Sequence, residues 1–170
     1  MPVAICLQSA PGRKRSVIRP LRLRRLSWHL ITCMEQRMTE VYQGSCLCAA
    51  VVYELHGPPK AVSHCYCSQC RKAHGAAFAS YGSVPRGALQ ILRGSSWVRT
   101  YASSEIASRE FCGQCGSTLF WSLSKGEFAD WISIALGTLD TSFVPQTQKH
   151  VHIESAAPWW PSSSPCPPVS

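Results

Sequence analysis

The sequence predicts a mainly β domain with little helix, and two observations carry that prediction. Short apolar or β-branched runs recur between Val41 and Leu139, several of them alternating in character and most ending at Gly or Pro. That is the rhythm of short strands joined by turns. Seven of the ten cysteines gather in three tight clusters: Cys46 and Cys48 in GSCLC, Cys65, Cys67 and Cys70 in HCYCSQC, and Cys112 and Cys115 in FCGQCG.

The elements follow in order. Ala49 to Leu55 reads as a strand, and His56-Gly57-Pro58-Pro59 ends it. Ser68 to His74 can form one helical turn, with Ser68 as its cap. Ala76 to Val84 is the next strand. Leu89 to Leu92 and Trp97 to Tyr101 both alternate, and Arg93-Gly94 separates them. Arg109-Glu110-Phe111 leads into the third cysteine cluster and Thr118 to Leu123 leaves it. Trp131 to Leu136 is a final strand, closed by Gly137-Thr138-Leu139-Asp140. About seven short strands make the body all-β, with no internal repeat.

The cysteine spacing points to metal. Thiols one or two residues apart do not readily bridge each other, because a disulfide demands a particular Cα separation and Cβ orientation. They converge easily on a soft cation, and zinc takes four N or S ligands in a tetrahedron. The C-x-C and C-x-x-C pairs together make one closed four-thiolate site. Joining them would staple an early strand to a late hairpin. The middle C-x-C-x-x-C supplies three thiolates, and three protein ligands with an open position is the ligand count of a catalytic zinc. The competing reading is buried reduced cysteines, or a redox disulfide at Cys112 and Cys115. His64 or His74 could close the middle site and make it structural; both read better as packing residues beside it. Arg71 and Lys72 follow directly, and cations there would lower thiol pKa and attract an anionic substrate. The alternative for them is a solvated helix face.

Composition bounds the rest. At 170 residues the chain suffices for one domain with a real core. No apolar run approaches the ~20 residues needed to span a bilayer, so no membrane partner is expected. Without a secretory signal pattern, clustered cysteines suit a reducing compartment and a cytoplasmic location. The formal charge of +8 is concentrated in residues 1–37, which hold eight of the 17 Lys+Arg and one of the nine Asp+Glu. The remainder is close to neutral. Three readings compete for that arm: a disordered extension or sequence upstream of a start at Met38, an organelle transit peptide, or a nucleic-acid-binding tail. The expected organisation is therefore a basic arm over residues 1–37, a zinc domain over residues 38–160, and a disordered Pro/Ser tail over residues 161–170.

GSCLCAAVVYE, HCYCSQCRKAHGAAFASYGSVP, REFCGQCGSTLFW, ISIALGTLD and HIESAAPWW together closely resemble the glutathione-dependent formaldehyde-activating enzyme family, which also contains the zinc domain of centromere protein V. The resemblance covers about residues 41–160. It implies a mostly β, Mss4-like fold, a structural zinc on Cys46, Cys48, Cys112 and Cys115, and a second, catalytic-type zinc on Cys65, Cys67 and Cys70. The reaction implied is carbon–sulfur lyase chemistry on a thiol–aldehyde adduct, such as glutathione plus formaldehyde giving S-hydroxymethylglutathione. The alternative is a non-catalytic zinc module that binds a partner, its basic arm contacting DNA or chromatin. The chain departs from the family pattern in having Ala49 where glycine is usual and Ala156 where a lysine precedes APW, and its tail diverges after Trp160.

Overall fold

The computed structural model describes residues 40–160. The arm of residues 1–37 and the tail of residues 161–170 lie outside the described residues. Among the described residues, ten strands and one short α-helix follow in order: β1 (Val41–Ser45), β2 (Val52–His56), β3 (Ala61–Cys65), α1 (Ser68–His74), β4 (Ala79–Pro85), β5 (Leu89–Arg93), β6 (Val98–Ala102), β7 (Ala107–Cys112), β8 (Thr118–Leu123), β9 (Trp131–Ala135) and β10 (Gln148–Val151). They form a small sheet, β1-β2-β5, and a large one, β10-β3-β4-β9-β8-β7-β6. Within these sheets the pairings are antiparallel except for β10 on β3, which is parallel. The chain is mainly β, as its turn-punctuated apolar runs predict.

The main core lies between the two sheets. Tyr53 and Leu55 of β2, with Val51, pack against Val84, Leu119, Phe120, Ile132 and Ile134 of the large sheet. The Tyr53 and Phe120 rings meet edge-on, 5.2 Å between centroids, and the Tyr53 hydroxyl bonds the Thr138 hydroxyl at 2.8 Å. Gly44 in β1 lies against that ring, where any Cβ would collide with it. Cys46 and Cys112 belong to this same core. A second buried group, Cys70, Ala79, Tyr81 and Ala135, sits on the other side of the large sheet with Cys65, Cys67 and Trp121 packed against it.

Five details differ from the expectations. The first expected strand starts later, because Ala49 N–H donates to Cys46 O (2.8 Å) and folds residues 46–49 into a tight turn. The second begins at Ala79 instead of Ala76, and Trp97 belongs to a 3-10 turn ahead of β6. Helix α1 spans Ser68–His74, but its cap is Cys67, whose Sγ accepts from the Cys70 N–H at 3.4 Å; Ser68 is the first helical residue. Three strands, β1, β3 and β10, were not anticipated.

Candidate metal centres

The turn after β1 and the turn between β7 and β8 face each other across the main core, and each aims two sulfurs at the same point. Cys46 and Cys112 are buried, Cys48 is exposed and Cys115 is half-buried. All four sulfurs lie within 4.8 Å of one another. Cys46 Sγ is 3.6 Å from Cys48 Sγ, and Cys48 Sγ is 3.9 Å from Cys112 Sγ. A disulfide would need about 2.0 Å. A tetrahedron of thiolates around zinc, with bonds of about 2.3 Å, has edges of about 3.8 Å. The donor set therefore fits a closed four-sulfur zinc site. Backbone and hydroxyl groups prepare it for negative charge. Val51 N–H donates to Cys46 Sγ at 3.2 Å, and Ser117 Oγ lies 3.3 Å from Cys115 Sγ. The Ser117 hydroxyl and backbone N–H pull the Cys115 thiol down to about 5.

The second group is built by the end of β3 and the first turn of α1. Cys65, Cys67 and Cys70 bring three sulfurs within 4.8 Å of one another, and among the described residues no other His, Cys or carboxylate joins them. Cys70 is buried and the other two are half-buried. Burial first, and then the neighbouring Cys65 and Cys67, push the Cys70 thiol up to about 12. Three crowded thiols resist ionising together unless a cation neutralises them, and a soft divalent ion meets that need.

A buried arginine stands beside this group. Arg109 of β7 is 8 % exposed. Its Nη2 donates to Cys70 Sγ at 3.8 Å and its Nη1 to Tyr81 Oη at 3.3 Å. Among the described residues it makes no salt bridge to a carboxylate. A buried cation needs an anionic partner, and three thiolates with one divalent ion carry a net charge of −1, which Arg109 offsets. Tyr81 Oη also lies 2.8 Å from His74 Nε2. With Arg109 donating to the phenol oxygen, the phenol proton points to His74. Burial holds the Tyr81 phenol up at about 12, and burial with the Arg109 charge lowers the His74 pKa. Arg109 and Tyr81 escaped the sequence reading. The available signal was a lone arginine inside the run ASREFC, on a strand that ends at a cysteine.

The flanking residues sort accordingly. His64 bonds Ser80 and Gln148, and His74 bonds Tyr81. Both stand outside the sulfur groups, as their reading as packing residues anticipates. Arg71 spends its Nε on Tyr66 O at 3.1 Å and Lys72 is exposed, so the cation that touches a thiol is Arg109 and not the adjacent pair.

The family model described as glutathione-dependent formaldehyde-activating enzyme matches residues 41–155. An uncharacterized lyase of Schizosaccharomyces pombe is 30 % identical over 86 residues, 51 % of this chain. The chain spans 61 % of that relative's length. A crystal structure of a Rhodobacter sphaeroides protein superposes with a TM-score of 0.50 at 22 % identity, covering 64 % of this chain and 98 % of the other, and shares the fold.

Proposed function

The chain belongs to the glutathione-dependent formaldehyde-activating enzyme family, and from that membership we propose that it is a carbon–sulfur lyase-type enzyme acting on a thiol–aldehyde adduct, with glutathione and formaldehyde as the model pair. In the joining direction a thiol sulfur bonds to the carbonyl carbon. The carbonyl π pair moves to oxygen, which takes the proton the thiol gives up. The lyase direction reverses each change. The observation that best supports this reading is the three-sulfur group with a buried arginine beside it. Cys65, Cys67 and Cys70 are the proposed catalytic-type zinc ligands, and Cys46, Cys48, Cys112 and Cys115 the structural ones. A zinc held by the three cysteines would supply Lewis acidity and would favour the deprotonated form of a thiol brought to it. Arg109 holds compensating positive charge against the sulfurs. Tyr81 keeps its proton at neutral pH and gives it to His74, so that Arg109, Tyr81 and His74 form one fixed polar chain beside the sulfurs.

The test uses the full chain. Zinc content is measured first, then the rate of S-hydroxymethylglutathione formation and breakdown by exchange NMR with 13C-formaldehyde, followed by other thiol–aldehyde pairs. Acceleration that vanishes in Cys67→Ser supports the proposal. Zinc-loaded protein that accelerates no pair overturns it.

A further inference from the structure

A second feature shares a sheet face with the three-sulfur group. Paired residues in neighbouring strands, and residues two apart along one strand, point to the same side. The pairs Cys65–Ala79, Tyr81–Ala135, Ser83–Ser133 and Trp121–Ser133 therefore share one face of the large sheet. Beyond Tyr81 on that face lies a cavity of about 260 Å³, lined chiefly by Lys60, Ser83, Trp121, Phe128, Trp131 and Ser133. Trp121 belongs to both places: it packs on the Cys70–Tyr81 group and forms a wall of the cavity. From Ala79 to Ser83 is about 13 Å at ~3.3 Å per residue, so sulfurs and cavity are two ends of one stretch of surface.

The lining states what the cavity can hold. Three aromatic walls suit a ring or a long alkyl group. Lys60 Nζ lies 5.6 Å from the Trp131 ring centroid, a single ammonium at the cavity's edge. The Ser83 and Ser133 hydroxyls, 3.1 Å apart, satisfy each other on the floor. Glutathione, charged at both ends and peptide-like between, would lose hydration here without partners. Formaldehyde has nothing to place in it. Two larger cavities, of about 530 and 450 Å³, lack Trp121, the residue that joins this cavity to the sulfur group.

We infer that this cavity is the subsite for the carbonyl substrate's tail, and that the aldehyde bears a ring-sized or long apolar group ending in a carboxylate that meets Lys60. The inference rests on the thiol–aldehyde reading above, and the bonds made and broken are those already given; the tail does not react.

The binding arm is calorimetry of the full chain with 4-phenylbutyrate and its neutral amide, neither of which can undergo the reaction. The acid should bind saturably at one site. Trp131→Ala should weaken it about tenfold. Phe128→Ala should do likewise, and as Phe128 is 57 % exposed its loss spares the fold. Lys60→Gln should weaken the acid about fivefold and leave the amide unchanged. The activity arm compares 3-phenylpropanal with formaldehyde: Phe128→Ala should lower kcat/KM for the former alone. No saturable binding, or binding that these variants leave untouched, overturns the inference while turnover of formaldehyde keeps the reaction class. Binding without turnover of any thiol–aldehyde pair overturns the reaction class and, with it, the aldehyde as occupant.

Discussion

Ala49 carries φ +56, in the left-handed region, where a Cβ crowds the backbone. The turn at the first sulfur pair wants glycine there, and the chain supplies alanine. A non-glycine residue in this region costs about 1–2 kcal/mol, and glycine's extra freedom in the unfolded chain returns about 0.5–1 of it. Ala49→Gly should therefore stabilise by about 0.5–1 kcal/mol, read as a higher denaturant midpoint at unchanged slope. A lower midpoint would show that the turn carries no strain. Arg109 makes the second case. Arg109→Met keeps most of the buried stem and removes the charge beside Cys70. Zinc affinity at one of two sites should drop about 10–100-fold in chelator competition, in line with the effect of losing a supporting partner. Two sites that both keep their affinity would remove Arg109 from the chemistry. This residue also marks where the sequence stops being readable. Arg71 and Lys72 adjoin Cys70 along the chain, whereas Arg109 is 39 residues away and reaches it only because β7 crosses the same sheet.

Among the elements, legibility followed the apolar pattern along the chain more than burial: β5 and β6 bury no residue, yet their alternation reads as strand. β8 and β9 each contribute three buried residues and read clearly as strands from sequence. β1 (VYQGS), β3 (AVSHC) and β10 (QKHV) are four or five residues long with no sustained apolar run or alternation, so they leave little pattern to find. Their pairing is imposed by neighbours and not by their own composition. Helix α1 was visible, but its cap was misread because Ser68 is the ordinary capping residue and Cys67 is not. The two cysteine groups were fully legible, since their spacing survives any arrangement of the strands between. They should respond differently to loss of one ligand. Cys112→Ser removes a sulfur that ties the β1 turn to the β7–β8 turn inside the main core. Structural zinc supplies on the order of 10 kcal/mol of apparent folding free energy, against about 5–15 kcal/mol of net stability, so this variant should be unfolded or insoluble. Cys67→Ser keeps an oxygen to cap α1, so it should fold, lose about one equivalent of zinc and lose activity. Equal unfolding of the two variants would make the middle group structural.

At the scale of the whole molecule, residues 41–155 match the family, and the described strands and both sulfur groups lie within residues 41–151. A chain beginning at Met38 should therefore melt with the full-length protein and hold the same zinc, measured by calorimetry and metal analysis. If residues 1–37 bind duplex DNA, only the full chain should do so, with affinity falling steeply with salt by about 0.9 log units per log unit of salt for each phosphate neutralised. Equal, negligible binding by both would leave the arm without that role. The four-sulfur arrangement also has a consequence in time. Cys48 and Cys112 are 64 residues apart in sequence. At about 5–20 residues per second of synthesis, the first sulfur pair waits roughly 3–13 s for its counterpart to leave the ribosome. During that wait half a binding site is open to oxidants and to the wrong ions, because two thiols alone hold a soft cation weakly. Whatever ion the four sulfurs hold must then be caught only after Cys115 has been made. The yield of native protein should accordingly track the metal and redox state of the cell during translation more closely than any condition applied afterwards.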